Sequence, residues 1–247
     1  MKISLITVSY NSEETIRETF ESVRWQKIEG FELEYIHVDG LSNDATMEIS
    51  QEFDDIITKR ISEKDSGIYN AMNKGVHLAT GDIIGFLNSD DTFYDTNILY
   101  LISQYFLDYQ PLDIVYGDIN YVDNNGSIKR RWRTGERDSF KKGWHPAHPG
   151  FYASKKLFDN YGVFNEDLRI AADFDLMLRF MENDRTTSKY LPKVCVNMKL
   201  GGESNRSLYN IYRGNREILK AFKLNKIRPV PWYTIKRFSD KIFQKVR

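Results

Sequence analysis

The sequence predicts an α/β fold with a mostly parallel central sheet and helices on both faces. Over residues 1–95, apolar segments of strand length alternate with segments of helical periodicity, which is typical of βαβ units. With 41% hydrophobic and 14% aromatic residues among 247, the chain can build one well-packed core. A disordered or fibrous protein is therefore excluded.

Four strands and three helices are predicted in this first part of the chain. Short β-branched runs bounded by turn residues predict the strands, at residues 3–9, 33–39, 56–61 and 82–87. Apolar residues at helical spacing predict the helices, at residues 13–25, 45–53 and 68–79. Ser12 is expected to cap the first helix.

After Asp91 the alternation becomes less regular. Helices are expected at residues 97–107 and 174–182, and strands at residues 113–116 and 194–198. Within residues 119–133, Asn125-Gly126 separates two apolar segments and predicts a β-hairpin. The second half is therefore expected to be mixed in strand direction.

The charges are divided unevenly along the chain. The totals are 35 Lys and Arg against 35 Asp and Glu, so the overall charge does not indicate a nucleic-acid-binding protein. Residues 206–247, however, hold 12 basic and 2 acidic residues. The sequence thus predicts an acidic body followed by a basic helical extension, with Arg228-Pro229-Val230-Pro231 as a linker within it.

Cys195 is the only cysteine, which excludes an intrachain disulfide and predicts a reducing compartment. The N-terminal segment lacks the apolar length and the small-residue cleavage site of a signal peptide. No stretch of the sequence is apolar for long enough to span a bilayer. The expected location is the cytoplasm.

Acidic residues follow three of the predicted strands. Asp39 ends the second strand, Asp65 follows the third, and Asp90 and Asp91 follow the fourth. Ligands of open parallel sheets bind beyond the carboxyl ends of the strands, and a divalent cation relieves the repulsion between clustered carboxylates. The pattern predicts a nucleoside-diphosphate site with Mg²⁺ or Mn²⁺, although each Asp alone is also a common turn or cap residue.

Several common motifs are missing from the sequence. It contains neither the Gly-x-Gly-x-x-Gly of dinucleotide-binding folds nor the Gly-x-x-x-x-Gly-Lys-[Ser/Thr] of P-loop enzymes. It also lacks the Gly-x-Ser-x-Gly elbow and the His-Glu-x-x-His pair of two hydrolase classes. These absences disfavour oxidoreductases, P-loop enzymes and hydrolases.

Five sequence blocks resemble the successive motifs of family 2 glycosyltransferases, in the family's order and spacing. They are residues 8–11, 38–46, 63–75, 79–82 and 87–91. The resemblance covers roughly residues 1–205. It implies the GT-A fold, with a nucleotide-sugar-binding half over about 1–95 and an acceptor-binding half over 96–205. It also implies an enzyme that inverts configuration at the transferred sugar. The basic extension at residues 206–247 lies beyond the resemblance.

The resemblance also implies roles for individual residues. Asp39 would contact the nucleotide base, Asp90 would lie near the ribose, and Asp91 would be the direct metal ligand. Asn88 stands where the family often has an acidic residue. The remaining implied contacts with the nucleotide sugar are Ser9, Tyr10, Asn11, Asp65 and Asn73.

Residues 170–179 resemble the family segment that holds the catalytic base. Ala172 replaces the usual Glu, but Asp173 keeps the carboxylate. Single-displacement transfer needs one group to take the proton from the acceptor hydroxyl, which suits Asp173. The alternative is that Asp173 caps the helix that follows it.

Two histidines lie between the metal motif and the predicted base. His148 is preferred over His145 as a metal or diphosphate contact, because it immediately precedes a Pro-Gly-Phe-Tyr run that resembles the family. The alternative is that both histidines shape a proline-rich loop. The glycine-rich segment 199–204 is expected either to close over the donor or to form an ordinary turn.

The expected activity is transfer of a single hexosyl-type sugar from a nucleoside-diphosphate sugar, with a UDP-sugar favoured by family frequency. The acceptor would be a saccharide or a polyprenyl-diphosphate-linked sugar in bacterial-type surface polysaccharide assembly. The Gln-x-x-Arg-Trp motif of processive members is absent. The alternatives are a silent nucleotide-sugar-binding scaffold and a nucleotidyltransferase. A nucleotidyltransferase would be expected to have a glycine-rich phosphate loop after the first strand, and the sequence has none there.

Two further partners are left open by the sequence. Apolar residues recur at spacings of three and four in a predicted final helix, with lysines and arginines on its other faces; they are Trp232, Ile235, Phe238, Ile242 and Val246. Such a helix would lie either on the inner face of the plasma membrane or on the acidic body. Aromatic residues of the second half would serve either an acceptor groove or a homodimer interface; they are Trp132, Trp144, Phe151 and Tyr152.

Overall fold

A computed structural model describes residues 1–201 and 208–233 of the chain. The strands are β1 (Lys2–Ser9), β2 (Glu32–Asp39), β3 (Lys59–Ser62), β4 (Ile83–Phe86), β5 (Thr92–Phe93), β6 (Ile114–Val122), β7 (Ile128–Trp132), β8 (Phe151–Ser154) and β9 (Ser188–Lys199). The helices are α1 (Ile16–Arg24), α2 (Thr46–Gln51), α3 (Ile68–Leu78), α4 (Ile98–Asp108), α5 (Lys155–Tyr161), α6 (Ala172–Met181) and α7 (Leu208–Leu224).

All of these strands belong to one sheet. Its order is β3-β2-β1-β4-β8-β6-β9-β5, and β7 pairs with β6 outside that path. Strands β3, β2, β1 and β4 are parallel to one another, as are β6 and β9. The other described pairs are antiparallel. The predicted α/β fold, with a mixed second half, is therefore confirmed.

The sheet carries helices on both faces, as expected. Side chains of a strand alternate between the two faces, so Ile3 and Leu5 pack toward α1 and α4, whereas Ile6 and Val8 pack toward α3. The second face is extended by buried residues of α5, α6 and α7. Each face thus has its own apolar core, and the sheet is covered on both sides.

Two strands are longer than the sequence predicted. β6 runs without a break through Gly117, where a Cβ would lie only 2.4 Å from the Cys195 sulfur. The strand predicted at residues 113–116 therefore continues through this glycine, which permits close packing on β9. β9 begins at Ser188 rather than at 194, because the exposed Pro192 and Lys193 hide the pattern of the strand. β9 pairs with β6 on both sides of a register shift at Gly117.

Two other boundaries also differ. Residues 53–57 form turns that follow α2, since the Phe53 carbonyl accepts from the amides of Ile56 and Ile57, so the third strand starts at Lys59. The first helix begins at Ile16, and its N-cap residue is Thr15 without a side-chain capping bond. Ser12 instead closes the preceding turn through its carbonyl, which accepts from the amides of Thr15 and Ile16.

The described part of the C-terminal extension packs against the body. Ile218, Ala221 and Phe222 of α7 are buried in the same core as α6. Beyond α7, the Val230 amide donates to the Lys141 carbonyl at 3.0 Å, and the Tyr233 ring packs on Phe222. The expected linker therefore lies along the body. The sequence predicts a final helix from Trp232 onward. From position 234, this predicted helix lies outside the described residues.

Replacement of Phe222 by alanine is expected to destabilise the protein by about 3–5 kcal/mol, because it empties a buried aromatic site. Phe222 is 1% exposed, and its ring lies 5.5 Å from that of Phe174. Leu219→Ala on the same helix is the control, since Leu219 is 47% exposed. Urea unfolding measures both variants. Equal, small losses would contradict the packing of α7 as part of the body.

None of the helices in the described ranges has the length and apolar character needed to cross a membrane.

Candidate active site

The carboxyl ends of the parallel strands bring several of the predicted site residues to one edge of the sheet. Ser9 at the end of β1 pairs with Asp39 at the end of β2. β4 lies on the other side of β1, with Ile6 opposite Phe86, so the chain from Leu87 to Asp91 leaves the sheet beside them. The expectation that these strand ends meet at one edge is therefore met by the topology.

Asp39 is a buried carboxylate whose oxygens are held by hydroxyl and amide groups. Oδ1 accepts from Ser9 Oγ at 2.9 Å and from Ser42 Oγ at 2.5 Å. Oδ2 accepts from the Ser42 amide at 2.9 Å and from Ser62 Oγ at 2.7 Å. Burial alone would raise the pKa of Asp39, but the hydrogen bonds from Ser42, Ser62 and Ser9 outweigh it and hold the pKa below its ordinary value. Asp39 is therefore ionised at neutral pH.

Asp65 lies directly over the turn that follows Asp39. A Cβ on Gly40 would lie 2.5 Å from Asp65 Oδ2, so a larger residue at position 40 would force this carboxylate to shift. The other oxygen, Oδ1, accepts from the Gly67 amide at 2.9 Å. The two acidic residues predicted to line a nucleotide pocket are thus brought together.

Tyr10 and Asn11 form the rim of this region. The Tyr10 ring is exposed. Asn11 adopts a left-handed backbone conformation with φ of 48°, which Asn tolerates better than most residues. Its side-chain oxygen accepts from the Asn43 amide, and its own amide donates to Ser42 Oγ. These bonds tie the loop after β1 to the loop after β2.

Asn73 is placed differently from the expectation that it contacts the donor. Its side chain is buried on α3, where Nδ2 donates to the Phe164 carbonyl and to Glu166, and Oδ1 accepts from the Phe164 amide. The amide is thus used to hold α3 against residues 164–166. A direct contact with a ligand would require it to give up these bonds.

Asp90 and Asp91 differ sharply in their surroundings. Asp91 is fully buried; Oδ2 accepts from Asn88 Nδ2 at 3.0 Å, and Oδ1 accepts from the Lys199 amide at 3.1 Å. Burial, followed by the negative charge of Asp90, raises the pKa of Asp91 well above its ordinary value. Asp90 is only half-buried. Asp91 thus has both oxygens engaged within the protein, whereas Asp90 keeps exposed surface.

One polar atom beside this pair has no hydrogen-bond partner. Asn88 Oδ1 is buried, and no donor from residues 1–201 or 208–233 reaches it, which is unusual for a buried oxygen. A carboxylate and an amide oxygen are hard ligands suited to Mg²⁺ or Mn²⁺. Residues 1–201 and 208–233 contain no group of three His, Cys, Asp or Glu side chains arranged to hold a metal. A cation here would need further ligands from a bound molecule.

Asp173 lies in the first turn of α6 and is half-buried. The Tyr69 hydroxyl lies 3.5 Å from Oδ1, which also accepts from the Phe174 amide at 2.7 Å. The N-cap residue is Ala171, not Asp173. Asp173 is thus not the N-cap residue of α6, although its carboxylate satisfies the first-turn amide of Phe174.

The start of α6 is held by a residue from α7. Glu217 Oε2 accepts from the amides of Ile170 and Ala171 at 2.7 and 3.1 Å, and Arg213 pairs with Oε1. Burial opposes ionisation of Glu217, but the hydrogen bonds from these amides and from Arg213 hold its pKa below the ordinary value. Glu217 thus fixes the loop that presents Asp173. Sequence reasoning missed it, since no local pattern connects residue 217 with residue 170.

Tyr121 on β6 is affected by the negative charges of both Asp91 and Asp173. Burial raises the pKa of its hydroxyl; the Arg130 charge opposes that rise, while the charges of Asp91 and Asp173 add to it. The Arg130 guanidinium lies 4.2 Å from the centre of the Tyr121 ring. Asp91 and Asp173 therefore both lie close enough to act on one side chain. Neither Tyr121 nor Arg130 was found from the sequence.

His148 is buried between aromatic rings rather than among carboxylates. Its ring centroid lies 5.3 Å from that of Phe86 and 5.6 Å from that of Phe164, and Nε2 has no hydrogen-bond partner. Burial lowers its pKa, although the charge of Asp173 opposes the change. His148 thus faces the Asp173 side of the site. His145 contacts Trp132 and Phe174.

The predicted glycine loop is described only at its start. Lys199 Nζ pairs with Glu18 on α1 at 2.8 Å. The positive charge of Lys199 reaches Asp90 and Asp91, where it lowers both pKa values against the larger effect of burial. Residues 202–204 of this loop lie outside the described residues.

Comparison with known proteins identifies the family. The model of the family described as "Glycosyl transferase family 2" matches residues 4–170. The chain belongs to this family. A PGL/p-HBAD biosynthesis glycosyltransferase of Mycobacterium bovis (strain BCG / Pasteur 1173P2) is 31% identical over 209 residues, which are 82% of this chain and 78% of that protein. The chondroitin synthase of Escherichia coli is 29% identical over 82% of this chain but only 29% of its own length.

Solved structures show the fold of this glycosyltransferase. Residues 1–349 of TarS from S. aureus, in complex with UDP, superpose with a TM-score of 0.69 and 21% identity, covering 96% of this chain and 68% of that one. The mannosyltransferase PcManGT from Pyrobaculum calidifontis, in complex with GDP-Man and Mn²⁺, gives 0.68 and 19%, covering 94% and 67%. The predicted GT-A fold and the predicted family are both confirmed.

Acid is expected to destabilise the enzyme through His37, which is buried beside Ser9. Burial lowers the pKa of His37 to about 4; the Arg60 charge adds to this effect, and the Asp39 charge opposes it. In the unfolded chain, His37 would take up a proton near pH 6.5, whereas in the folded protein it is protonated only near pH 4. The free energy of unfolding should therefore fall between pH 6.5 and 4, by about 3 kcal/mol from this residue.

His37→Gln tests this expectation, because glutamine does not titrate. Urea unfolding between pH 7 and 4.5 should show the variant losing less stability than the wild type, by about 2–3 kcal/mol. The acidic residues and His148 should contribute equally to the pH dependence of stability in both proteins. Their contributions therefore cancel when the two stability curves are subtracted. Parallel stability curves for the two proteins would contradict a depressed pKa at His37.

Proposed function

We propose that this glycosyltransferase transfers one hexosyl-type sugar, with inversion, from a nucleoside-diphosphate sugar to a hydroxyl of a saccharide or polyprenyl-diphosphate-linked acceptor. A UDP-sugar is the favoured donor, and bacterial surface polysaccharide assembly is the favoured setting. The observation that carries the proposal is the strand edge that brings the ionised Asp39 and the half-buried Asp90 together, with a further carboxylate, Asp173, in the first turn of α6.

Donor binding would use the loops after β1, β2 and β3. An N–H of the base would contact the ionised Asp39 by replacing one of the four hydrogen bonds that its buried carboxylate accepts. Asp65 lies beside it, and the exposed Tyr10 ring offers a surface for stacking. Ser9 would act by holding Asp39. TarS is described with UDP and UDP-GlcNAc, and PcManGT with GDP-Man. These relatives support a nucleotide sugar without choosing its base.

Metal binding would involve Asp90 and Asn88. Asp90 keeps partial exposure, and Asn88 Oδ1 lacks a partner, so both oxygens are available to a cation. Asp91 would support Asn88 through its hydrogen bond instead of binding directly. A bound Mn²⁺ or Mg²⁺ would supply positive charge to stabilise the departing diphosphate. PcManGT, which is described with Mn²⁺, supports this choice of cofactor.

Catalysis would depend on Asp173 as the general base. Its carboxylate would take the proton of the acceptor hydroxyl while that oxygen forms a bond to the anomeric carbon. The bond from that carbon to the diphosphate breaks in the same step, so the configuration inverts without a protein nucleophile. Glu217 would contribute by fixing the loop before α6, and Tyr69 by contacting Asp173.

A thermal-shift panel tests donor binding directly. The ligands are UDP, GDP, dTDP and their common sugar conjugates, each with Mn²⁺, with Mg²⁺ and with EDTA. A ligand that binds only the folded protein raises the melting temperature. We expect a shift with one nucleotide that disappears in EDTA. The absence of a metal-dependent shift with every ligand would contradict the proposed donor site.

One alternative is favoured by a specific observation. Asn88 and Ala172 stand where the resemblance predicted acidic residues, so the site carries less negative charge than expected. A catalytically silent nucleotide-sugar-binding protein would bind the same nucleotide but release no product. Such a protein would show a metal-dependent thermal shift with no turnover of any donor.

The basic extension would place the enzyme against the inner face of the plasma membrane. Tyr209, Tyr212 and Trp232 are exposed, and basic side chains such as Arg216 and Lys220 lie on the same helix as the two tyrosines. Aromatic and basic residues together favour anionic lipid surfaces. Flotation with anionic vesicles should fall when residues 231–247 are removed. Equal flotation of the full-length and shortened proteins would contradict membrane contact through this segment.

A further inference from the structure

We propose that Arg60, Ser50, His37 and Ser9 form a one-directional chain of hydrogen bonds that positions the Asp39 carboxylate for recognition of the nucleotide base. The proposal rests on the proposed function, because it assumes that Asp39 contacts the donor. These four residues would be positioning residues: they act through Asp39 and do not touch the reacting atoms.

The chain consists of four consecutive hydrogen bonds. Arg60 Nε lies 2.7 Å from Ser50 Oγ, and Ser50 Oγ lies 2.8 Å from His37 Nδ1. His37 Nε2 then lies 2.8 Å from Ser9 Oγ, which lies 2.9 Å from Asp39 Oδ1. All four distances are normal for hydrogen bonds between these atom types. The chain therefore connects a guanidinium to a carboxylate without a gap.

The two ends of the chain determine its direction. An arginine can only donate, and an ionised carboxylate can only accept. Ser9 must therefore give its proton to Asp39 and accept from His37 Nε2, which requires the tautomer with hydrogen on Nε2. His37 Nδ1 must then accept from Ser50, and Ser50 accepts from Arg60. A single arrangement of protons satisfies every member of the chain.

Four elements hold these residues in place. Ser9 ends β1, His37 lies on β2, Ser50 on α2, and Arg60 on β3 opposite His37. Ser9, His37 and Ser50 are all buried, and the Phe20 ring packs edge-on to the imidazole at 5.2 Å. Buried polar groups in a satisfied network are rigid, since breaking one bond leaves an unpaired group.

The consequence for Asp39 is a fixed orientation. Ser9 and Ser42 both donate to Oδ1, so that oxygen is held from the sheet side and from the loop side. Loss of the Ser9 bond, or of its direction, would let the carboxylate turn and would leave Ser9 unpaired. Affinity for the preferred nucleotide should then fall, because the base would meet an acceptor that is no longer held in place.

The tautomer of His37 provides a test that does not depend on any nucleotide. Nitrogen NMR of the imidazole in the wild-type protein at pH 7 should show a neutral ring with hydrogen on Nε2 and an accepting Nδ1. Ser50→Ala should shift the Nδ1 resonance, since the donor is lost. Hydrogen on Nδ1 in the wild type, or no shift in Ser50→Ala, would overturn the chain.

Binding measurements test whether this chain of hydrogen bonds supports recognition of the nucleotide. Dissociation constants for UDP, GDP and dTDP are measured by calorimetry with the wild type, His37→Phe, His37→Gln and Ser50→Ala. His37→Phe and Ser50→Ala should weaken the best-bound nucleotide about tenfold. His37→Gln should restore most of this loss, because its amide N–H can replace Nε2–H as the donor to Ser9. Ser103→Ala on α4 is the matched control, as Ser103 is equally buried and bonds only locally to Tyr100 and Gln104.

Each outcome decides between the two proposals. Unchanged affinity in His37→Phe and Ser50→Ala would overturn the positioning role while leaving the proposed donor site intact. Failure of the wild type to bind any of the three nucleotides would overturn both, even if the tautomer is as expected. If His37→Phe does not fold, Ser50→Ala still decides the matter, because it removes one hydroxyl near the far end of the chain.

Discussion

Asp173→Asn is expected to lower kcat by about 10²–10⁴-fold while leaving the affinity for the nucleotide sugar nearly unchanged. Asparagine keeps the size of the side chain and an acceptor for the Phe174 amide, but it cannot take a proton from the acceptor hydroxyl. The loss should therefore concern the chemical step alone. Steady-state kinetics with the identified donor, together with calorimetric binding of that donor, separate the two effects.

Asp159→Asn is the matched control for this experiment. Asp159 lies on α5, is exposed, and pairs only with Lys155 one turn earlier. It should retain wild-type kcat and donor affinity. A normal kcat in Asp173→Asn would contradict the assignment of the base, whereas an equal loss of kcat and of donor binding would indicate a role in binding instead.

Asp90→Asn is expected to weaken metal-dependent nucleotide binding by about 100-fold, because it removes the half-buried carboxylate at the proposed metal site. The fold should change little. Calorimetric titration of the nucleotide in Mn²⁺ and in EDTA measures the effect. The variant in Mn²⁺ should resemble the wild type in EDTA.

Asp91→Asn is expected to lower stability while keeping most of the metal-dependent affinity, which is the reverse of Asp90→Asn. Both oxygens of Asp91 accept hydrogen bonds in a fully buried position, so an amide would bring its NH₂ against the Lys199 amide or the Asn88 Nδ2. Two facing donors should cost about 1–3 kcal/mol of folding free energy. The folded fraction should keep most of its metal-dependent affinity. A stable Asp91→Asn protein that has lost metal binding would show that Asp91, not Asp90, is the direct ligand.

Much of the fold was predictable because its signals are local. The first four strands were recognised as apolar runs, and parallel pairing of β1 with β2 and β4 then required Asp39, Asp65 and Asp90 to meet at one edge. Some boundaries failed because long-range packing sets them, and others because local turns replace the expected elements. The strand predicted at 113–116 continues as β6 through Gly117, where the glycine leaves room for β9.

The details of the site were less predictable for the same reason. Asp90 and Asp91 are adjacent, so no periodicity tells which one faces the interior. Asn73 lies within a recognised block, yet the structure uses it to hold Phe164. Glu217 and Tyr121 reach the site from other parts of the chain. Their contacts are set by tertiary packing and cannot be predicted from the spacing of residues along the sequence.

The most direct test of the account is proton NMR of donor turnover by the wild-type enzyme. Nucleoside-diphosphate sugars, including UDP-GlcNAc and GDP-mannose, are incubated with Mn²⁺, and the anomeric signal of the sugar first released or transferred is followed before it equilibrates. The account predicts that one donor is consumed only when metal is present and that its product has the opposite anomeric configuration. Retention of configuration, or binding of a nucleotide with no consumption of any donor, would contradict it.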